Sequence, residues 1–291
     1  MKRSEINLRD PFILPDERDK VYYMYGTGYV TAPDQKPGFS FYTSPDLEEW
    51  AGPEKCFEKP DNFWADREFT GPEVHFYEGK YYLVASFKSA TRSKGIQILF
   101  ADSPKGPFVP VSENPVTPDT WECLDGTLFI DPNNEPWLVF CRDWQQVKDG
   151  EMFALQLTKD LLSAVGEPKY LFSASEADWA SDLRGRPRGH YTINGPFIHK
   201  NADGTLLMSW ASFNRFGKNA TGIARSMLGG IDGPWVQNSR AIYFEDGGHG
   251  MSFKAFDGKL MIIMHSPNFT QKEKPLLLEI KEEGNTLKQA R

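Results

Sequence analysis

The residues best equipped for chemistry stand on five similar corners of the chain. These are Arg9-Asp10-Pro11-Phe12-Ile13, Thr70-Gly71-Pro72-Glu73-Val74, Asp125-Gly126-Thr127-Leu128-Phe129, Asn194-Gly195-Pro196-Phe197-Ile198 and Gly248-His249-Gly250-Met251. Each sets Gly or Pro beside a polar residue and runs straight into an apolar stretch, so a polar side chain is presented at the mouth of a buried strand. The groups offered are the carboxylates of Asp10, Glu73 and Asp125, the amide of Asn194 and the imidazole of His249. Carboxyl groups and a histidine gathered at one point are suited to general acid and base catalysis.

Five corners imply five structural units. Runs rich in Tyr, Phe, Val, Ile and Leu alternate with Gly, Pro, Asp and Asn turns, and long amphipathic helices are absent from the pattern. A turn followed by a second strand recurs at Val21–Tyr25, Lys80–Phe87, Pro136–Phe140, Leu206–Trp210 and Leu260–Met264. The interval is roughly 55 to 70 residues, somewhat longer than common propeller repeats. Third strands follow, as in Phe39–Thr43, Ile96–Ala101 and Gly222–Ser226, with shorter outer strands behind them. The pattern predicts an all-β chain, a single five-bladed β-propeller over residues 1–291 in which the corners converge on one mouth of the channel. A β-sandwich would give no reason for five like units. Asp160-Leu161-Leu162 reads as a turn. Three longer loops, near Asp61 to Phe69, Arg142 to Asp149 and Glu176 to His190, carry Trp64, Trp144 and Trp179.

A chain of 291 residues with 40% hydrophobic and 25% charged residues can bury a sizeable core. Its net charge of −7 argues against nucleic acid or an anionic membrane as partner and favours a neutral ligand. Aromatic residues make up 14% of the chain, which suits strands and sugar-stacking surfaces. Cys56, Cys123 and Cys141 have no metal-type spacing and read as buried, reduced thiols. Charged residues return soon after Met1 without an apolar core segment, and no run approaches the roughly 20 apolar residues of a membrane span. A cytoplasmic chain is the expectation, unless a leader has been trimmed.

Taken together and in order, Arg9-Asp10-Pro11, Pro72-Glu73-Val74, Asp125 to Phe129, Gly195-Pro196-Phe197 and Gly247-Gly248-His249-Gly250 resemble glycoside hydrolase family 43. Each motif alone is weak, but the resemblance spans nearly the whole chain at blade spacing. It implies an inverting glycosidase of the arabinofuranosidase and xylosidase type, with a general base on blade one, a pKa-tuning Asp on blade three and a general acid on blade four. Inversion needs one carboxylate to activate water and a second carboxyl to protonate the leaving oxygen, roughly 6.5 to 9.5 Å apart. Asp10 matches the base and Asp125 the tuning residue, whose charge keeps a neighbouring acid protonated. As turn formers, both also have an ordinary structural reading.

Asn194 falls at the acid position, and an amide has no acidic proton to give. An introduced Asp→Asn change would silence the acid while preserving its shape. A natural loss would leave a sugar-binding propeller, or an enzyme using another acid. Retention of Asp10 and Asp125 favours the former. His249 matches a family histidine near a bound Ca²⁺, although a locally hydrogen-bonded His reads equally well; the chemistry requires no cofactor. Glu73 is a candidate for sugar hydroxyls or for a neighbouring Arg. Trp64, Phe69 and Trp144 are the stacking candidates, and Arg225 on a third strand is a candidate to reach the channel, with an ordinary salt bridge as the alternative. His190 is a candidate rim residue, whereas His75, His199 and His265 read as structural. The expected activity is exo-acting α-L-arabinofuranosidase on arabinose- or xylose-containing oligosaccharides, impaired at Asn194. The alternatives are a β-xylosidase with the same site, a non-catalytic carbohydrate-binding propeller and, less favoured, a protein-interaction propeller.

Overall fold

The structure is a computed structural model and describes residues 1–29 and 36–290. Twenty strands form five four-stranded antiparallel sheets, each drawn from one continuous segment. Blade one holds β1 (Arg9–Asp16), β2 (Val21–Thr27), β3 (Gly38–Ser44) and β4 (Ala51–Glu58). Blade two holds β5 (Arg67–Tyr77), β6 (Lys80–Lys88), β7 (Gly95–Ala101) and β8 (Val109–Pro110). Blade three holds β9 (Cys123–Ile130), β10 (Pro136–Arg142), β11 (Glu151–Leu157) and β12 (Ala164–Ser173). Blade four holds β13 (Asn194–Lys200), β14 (Leu206–Phe213), β15 (Asn219–Ser226) and β16 (Trp235–Gln237). Blade five holds β17 (Gly248–Lys254), β18 (Leu260–Ser266), β19 (Lys274–Glu283) and β20 (Thr286–Gln289). The expected five-bladed β-propeller is therefore the observed fold. The one α-helix among the described residues is α1 (Trp144–Val147), and no helix there is long and apolar enough to cross a membrane.

The core lies between neighbouring blades, because a twisted sheet that is apolar on both faces must be covered on both. Phe39, Phe57, Phe69 and Phe87 interlock between blades one and two. Trp179, from the connection into blade four, lies against Trp210 with ring centroids 4.5 Å apart. A methyl group on Gly222 would fall 2.1 Å from the Trp179 ring, so glycine is what lets the indole lie flat there. Burying a large apolar side chain of this kind contributes about 1.5–3 kcal/mol. The three cysteines are buried and free.

The corners share one backbone device. In every blade the innermost pair slips by one residue at the start of the inner strand: Arg9↔Thr27 is followed by Phe12↔Tyr25, Thr70↔Ser86 by Glu73↔Val84, and Leu124↔Cys141 by Thr127↔Val139. Asn194↔Ala211 is likewise followed by Phe197↔Ser209, and Gly248↔His265 by Met251↔Ile263. Inside each bulge sits one residue with left-handed backbone: Asp10 (φ 51°), Gly71 (φ 59°), Asp125 (φ 55°), Gly195 (φ 55°) and His249 (φ 56°). Such conformations disfavour most side chains and cluster where function over-determines them.

Among the described residues, no strand is exchanged between the first and last blades to close the ring. The seam is held instead by Leu8 N–H donating to the Glu273 carbonyl (3.1 Å), by Phe256 N–H donating to Tyr22 Oη (2.7 Å) and by the Tyr22–Phe256 ring stack at 4.0 Å. Contacts of Arg9 and Asp10 with blade five complete it.

Candidate active site

The five bulges aim their left-handed residues at one point. Asp10 and Asp125 are buried there, with His249 between them: His249 Nδ1 lies 3.2 Å from Asp10 Oδ1 and 3.8 Å from Asp125 Oδ2. The two carboxylates thus face each other across one imidazole. Burial works against charge on that ring, but Asp10 and Asp125 outweigh it and raise its pKa to about 9, so the ring is an imidazolium at neutral pH. Burial likewise works against ionised Asp10, and His249 and Arg9 overcome it, holding that carboxyl well below the usual carboxylate range.

Each carboxylate is oriented by further bonds. Thr27 Oγ1 donates to Asp10 Oδ2 (2.8 Å) and accepts from Gly71 N–H (2.8 Å), tying blade one to blade two. Asp10 N–H donates to His265 Nδ1 (3.3 Å), and the other nitrogen of that ring donates to Asn268 Oδ1 (3.2 Å). Burial lowers the His265 pKa and keeps the ring neutral, in the tautomer these bonds require. Asp125 N–H donates to Ser86 Oγ (2.8 Å), while Asp125 Oδ2 accepts from Gly195 N–H (3.0 Å) and from Asn194 Nδ2 (3.2 Å). Gly195 is required by space as well as by backbone, and Gly71 is closely fitted. A methyl group on Gly195 would lie 2.6 Å from His249 Cα, and one on Gly71 would lie 3.3 Å from both Asp125 Oδ1 and His249 Cε1.

Asn194 comes to this point by a different offset. Its register counterparts are Arg9, Thr70, Leu124 and Gly248, whereas Gly195 is the counterpart of Asp10 and Asp125. The expectation that Asn194 itself occupies the corner is corrected by one residue. Its amide nevertheless meets Asp125, so a carboxyl at position 194 would stand directly beside a carboxylate.

Several expected ligand contacts fall elsewhere. Glu73 is 2% exposed and faces His75 Nε2 at 2.8 Å, below the corners, where it has no open surface for a sugar hydroxyl. Phe69 is 9% exposed inside the blade one–two aromatic core and is not a platform. Trp64, half-buried in the loop that enters β5, is not among these: it donates from Nε1 to Gln97 Oε1 (2.9 Å) with the Arg92 guanidinium over its ring. Arg225 lies on the third strand of blade four with Nη2 against Met227 Sδ, and makes neither the channel contact nor the salt bridge expected of it. Trp144 opens α1 behind the Asp143 N-cap on the corner face, half-buried, its ring edge-on to His190 at 6.2 Å. His190 is accordingly a rim residue.

Four contributors escaped the sequence reading. Arg9 Nε lies 3.5 Å from Asp10 Oδ1, and its Nη1 donates to Asn268 Oδ1 (2.7 Å) and to Glu273 Oε1 (3.1 Å). Glu273, fully buried, also accepts from Tyr29 Oη (2.6 Å), whose pKa burial and that carboxylate push up to about 12. Thr27 and His265 complete the set. Arg9 alone carried a signal, as the first residue of the Arg-Asp-Pro corner.

Among the described residues, no group of three or more His, Cys, Asp and Glu side chains is arranged to hold a metal. The Nδ1 edge of His249 is turned to Asp10 and Asp125, so a cation held at this ring would have to meet its Nε2 edge.

The ring of blades brings two buried carboxylates, an imidazole and the Asn194 amide together at the channel mouth. The sequence pattern of glycosyl hydrolases family 43 matches residues 4–281, and the chain belongs to that family. Among solved structures it is similar to an endo-arabinase from Bacteroides thetaiotaomicron VPI-5482, at 40% identity, TM-score 0.90 and 98% coverage of both chains. An extracellular endo-α-(1→5)-L-arabinanase of Bacillus subtilis (strain 168) is 24% identical over 83% of this chain and 71% of its own length. A β-xylosidase of Xylanibacter ruminicola is 27% identical over half of each chain.

Proposed function

We propose that this chain acts on α-L-arabinofuranosyl linkages of arabinan-type oligosaccharides by inversion, with its acid position held by Asn194. One observation carries the reading: the line Asp10, His249, Asp125, Asn194 across the converging corners. Asp10, kept ionised by His249 and Arg9, is the group to take a proton from water attacking the anomeric carbon. Asp125 places its carboxylate beside position 194, where it would raise the pKa of any acid standing there. Asn194 preserves the bond to Asp125 but supplies no proton, so only a leaving group stable as an anion departs readily. Arabinose is favoured by the names of two relatives, the structure 40% identical to this chain and the Bacillus subtilis arabinanase. Both are named for internal cleavage, which favours that mode over removal of terminal residues.

General acid catalysis contributes roughly 10²- to 10⁴-fold. The chain is therefore expected to hydrolyse an aryl arabinofuranoside with an acidic phenol far better than an arabino-oligosaccharide, and Asn194→Asp or Asn194→Glu to restore the latter. Product analysis then separates oligosaccharides from free arabinose. Failure of both variants on the oligosaccharide, with sugar binding still measurable, would establish a binding propeller instead.

A further inference from the structure

We propose that residues 182–190 and 214–218 form a subsite for an acidic group on the sugar chain, the carboxylate of a uronate, beside the site described above. The proposal rests on the arabinose-directed reading and specifies its substrate further. Both segments lie on the corner face. Residues 214–218 join β14 to β15 at the end where β13 begins, and residues 182–190 run directly into Asn194. They carry Arg184, Arg186, Arg188, Arg215 and Lys218, all exposed, with exposed Lys148 just after α1.

The cations there are in local excess and unpaired. Arg3, Arg9, Arg18, Arg67, Arg92 and Arg142 each pair with a carboxylate. Among the described residues, Arg184, Arg186, Arg188, Arg215, Lys218 and Lys148 pair with none. The nearby Asp182, Asp149 and Asp246 accept only from neutral donors, Gly189 N–H, Ser175 and Asn219 N–H, so they keep their charge and offset the cations in part. In a chain of net charge −7, a local excess of guanidinium groups on the catalytic face is the reverse of the overall balance.

The patch is also built into the site. Arg184 Nη2 donates to the Arg215 carbonyl (2.9 Å), joining the two segments, and Ser181 N–H donates to the Phe213 carbonyl (2.8 Å). The Arg186 guanidinium lies 5.5 Å from the centre of the Trp144 ring, and Tyr191 N–H donates to the Lys148 carbonyl (3.0 Å). A sugar unit reaching the rim at Trp144 therefore meets guanidinium groups, Arg186 lying over the indole itself, and these bind carboxylates in a planar, two-pronged geometry. Nucleic acid fits less well, because a polyanion would meet the acidic remainder of the surface.

The test uses calorimetric titration of the full chain with an arabino-oligosaccharide, and with the same oligosaccharide bearing one galacturonate. The expected affinity ratio is about tenfold in favour of the acidic sugar at low salt, falling toward one near about 0.5 M salt, where charge is screened. Arg188→Gln, which breaks no hydrogen bond or ion pair among the described residues, should lower the ratio, and the triple change Arg184→Gln, Arg186→Gln, Arg188→Gln should bring it near one. An equal gain for a sulfate monoester of the same oligosaccharide supports an anion subsite not restricted to carboxylates. A ratio near one in the unchanged chain overturns the subsite alone. Absence of binding to either sugar overturns the arabinose-directed reading and the subsite with it. A single-stranded oligonucleotide that binds with the same arginine dependence, while the galacturonate adds nothing, would also refute it.

Discussion

Replacing His249 with Asn removes the positive charge between the two buried carboxylates and keeps a residue tolerant of left-handed backbone. With His249 Nδ1 at 3.2 Å from Asp10 Oδ1 and 3.8 Å from Asp125 Oδ2, the attractions are worth about 5 and about 4 kcal/mol at an effective dielectric constant of about 20. Desolvation of the ring offsets much of this. The net effect is the rise of the His249 pKa from 6.5 to about 9, equivalent to about 3 kcal/mol. Because the folded value lies above the unfolded one, this contribution is complete below pH 6.5 and fades as pH rises through about 9. Asp10 has the opposite sense: its contribution is present above its ordinary value of 3.8 and disappears only as pH falls through its depressed folded value. Urea unfolding at pH 7 should therefore show His249→Asn less stable by about 3 kcal/mol, with most of the difference gone at pH 10, where the parent ring is itself neutral. The variant should also lose its acid-side activity at higher pH than the parent, because Asp10 no longer has its cationic neighbour. A stability difference of equal size at pH 7 and pH 10 would show that His249 acts through packing and not through charge.

Other consequences are open to direct measurement. Thr27→Val removes the hydroxyl bridging Asp10 Oδ2 and Gly71 N–H; loss of these bonds should cost about 1–3 kcal/mol in denaturant midpoint and lower kcat on an aryl arabinofuranoside. Gly195→Ala forces a methyl group to 2.6 Å from His249 Cα in a left-handed backbone; thermal melting should show a loss well above the about 1 kcal/mol of an ordinary glycine substitution, and an unchanged Tm would contradict the packing described. Trp144→Ala should raise KM for oligosaccharides several-fold while leaving kcat on a small aryl glycoside near its parent value, the pattern of lost stacking at the rim.

The ring and its mouth were legible because they repeat. Turn, inner strand and second strand recur five times, and every bulge announces itself through Gly or Pro beside the left-handed residue, as in Asp10-Pro11 and Asp125-Gly126. The one-residue offset of Asn194 was not legible, since Gly195 can adopt the corner backbone silently and leave its neighbour to be mistaken for the corner. His265, Asn268 and Glu273 were missed for a topological reason: they meet Arg9 and Asp10 across more than 250 positions of chain. Glu73 and Phe69 misled for the converse reason. Both stand beside a corner in sequence, but the alternation of a strand turns their side chains into the channel interior and the blade interface, away from the mouth.

The seam between the first and last blades has a kinetic consequence. With no strand exchanged across it, part of what keeps the ring shut is the grip of blade five on Arg9 and Asp10, through Glu273, Asn268, His265 and His249. The same atoms that would activate water thus act as a hasp. Parting of the propeller at this joint dismantles the base, so inactivation on heating should run ahead of, or together with, global unfolding and never behind it. A sugar lodged between Asp10 and the blades opposite would brace the joint, lengthening the lifetime of the closed ring as well as occupying the site.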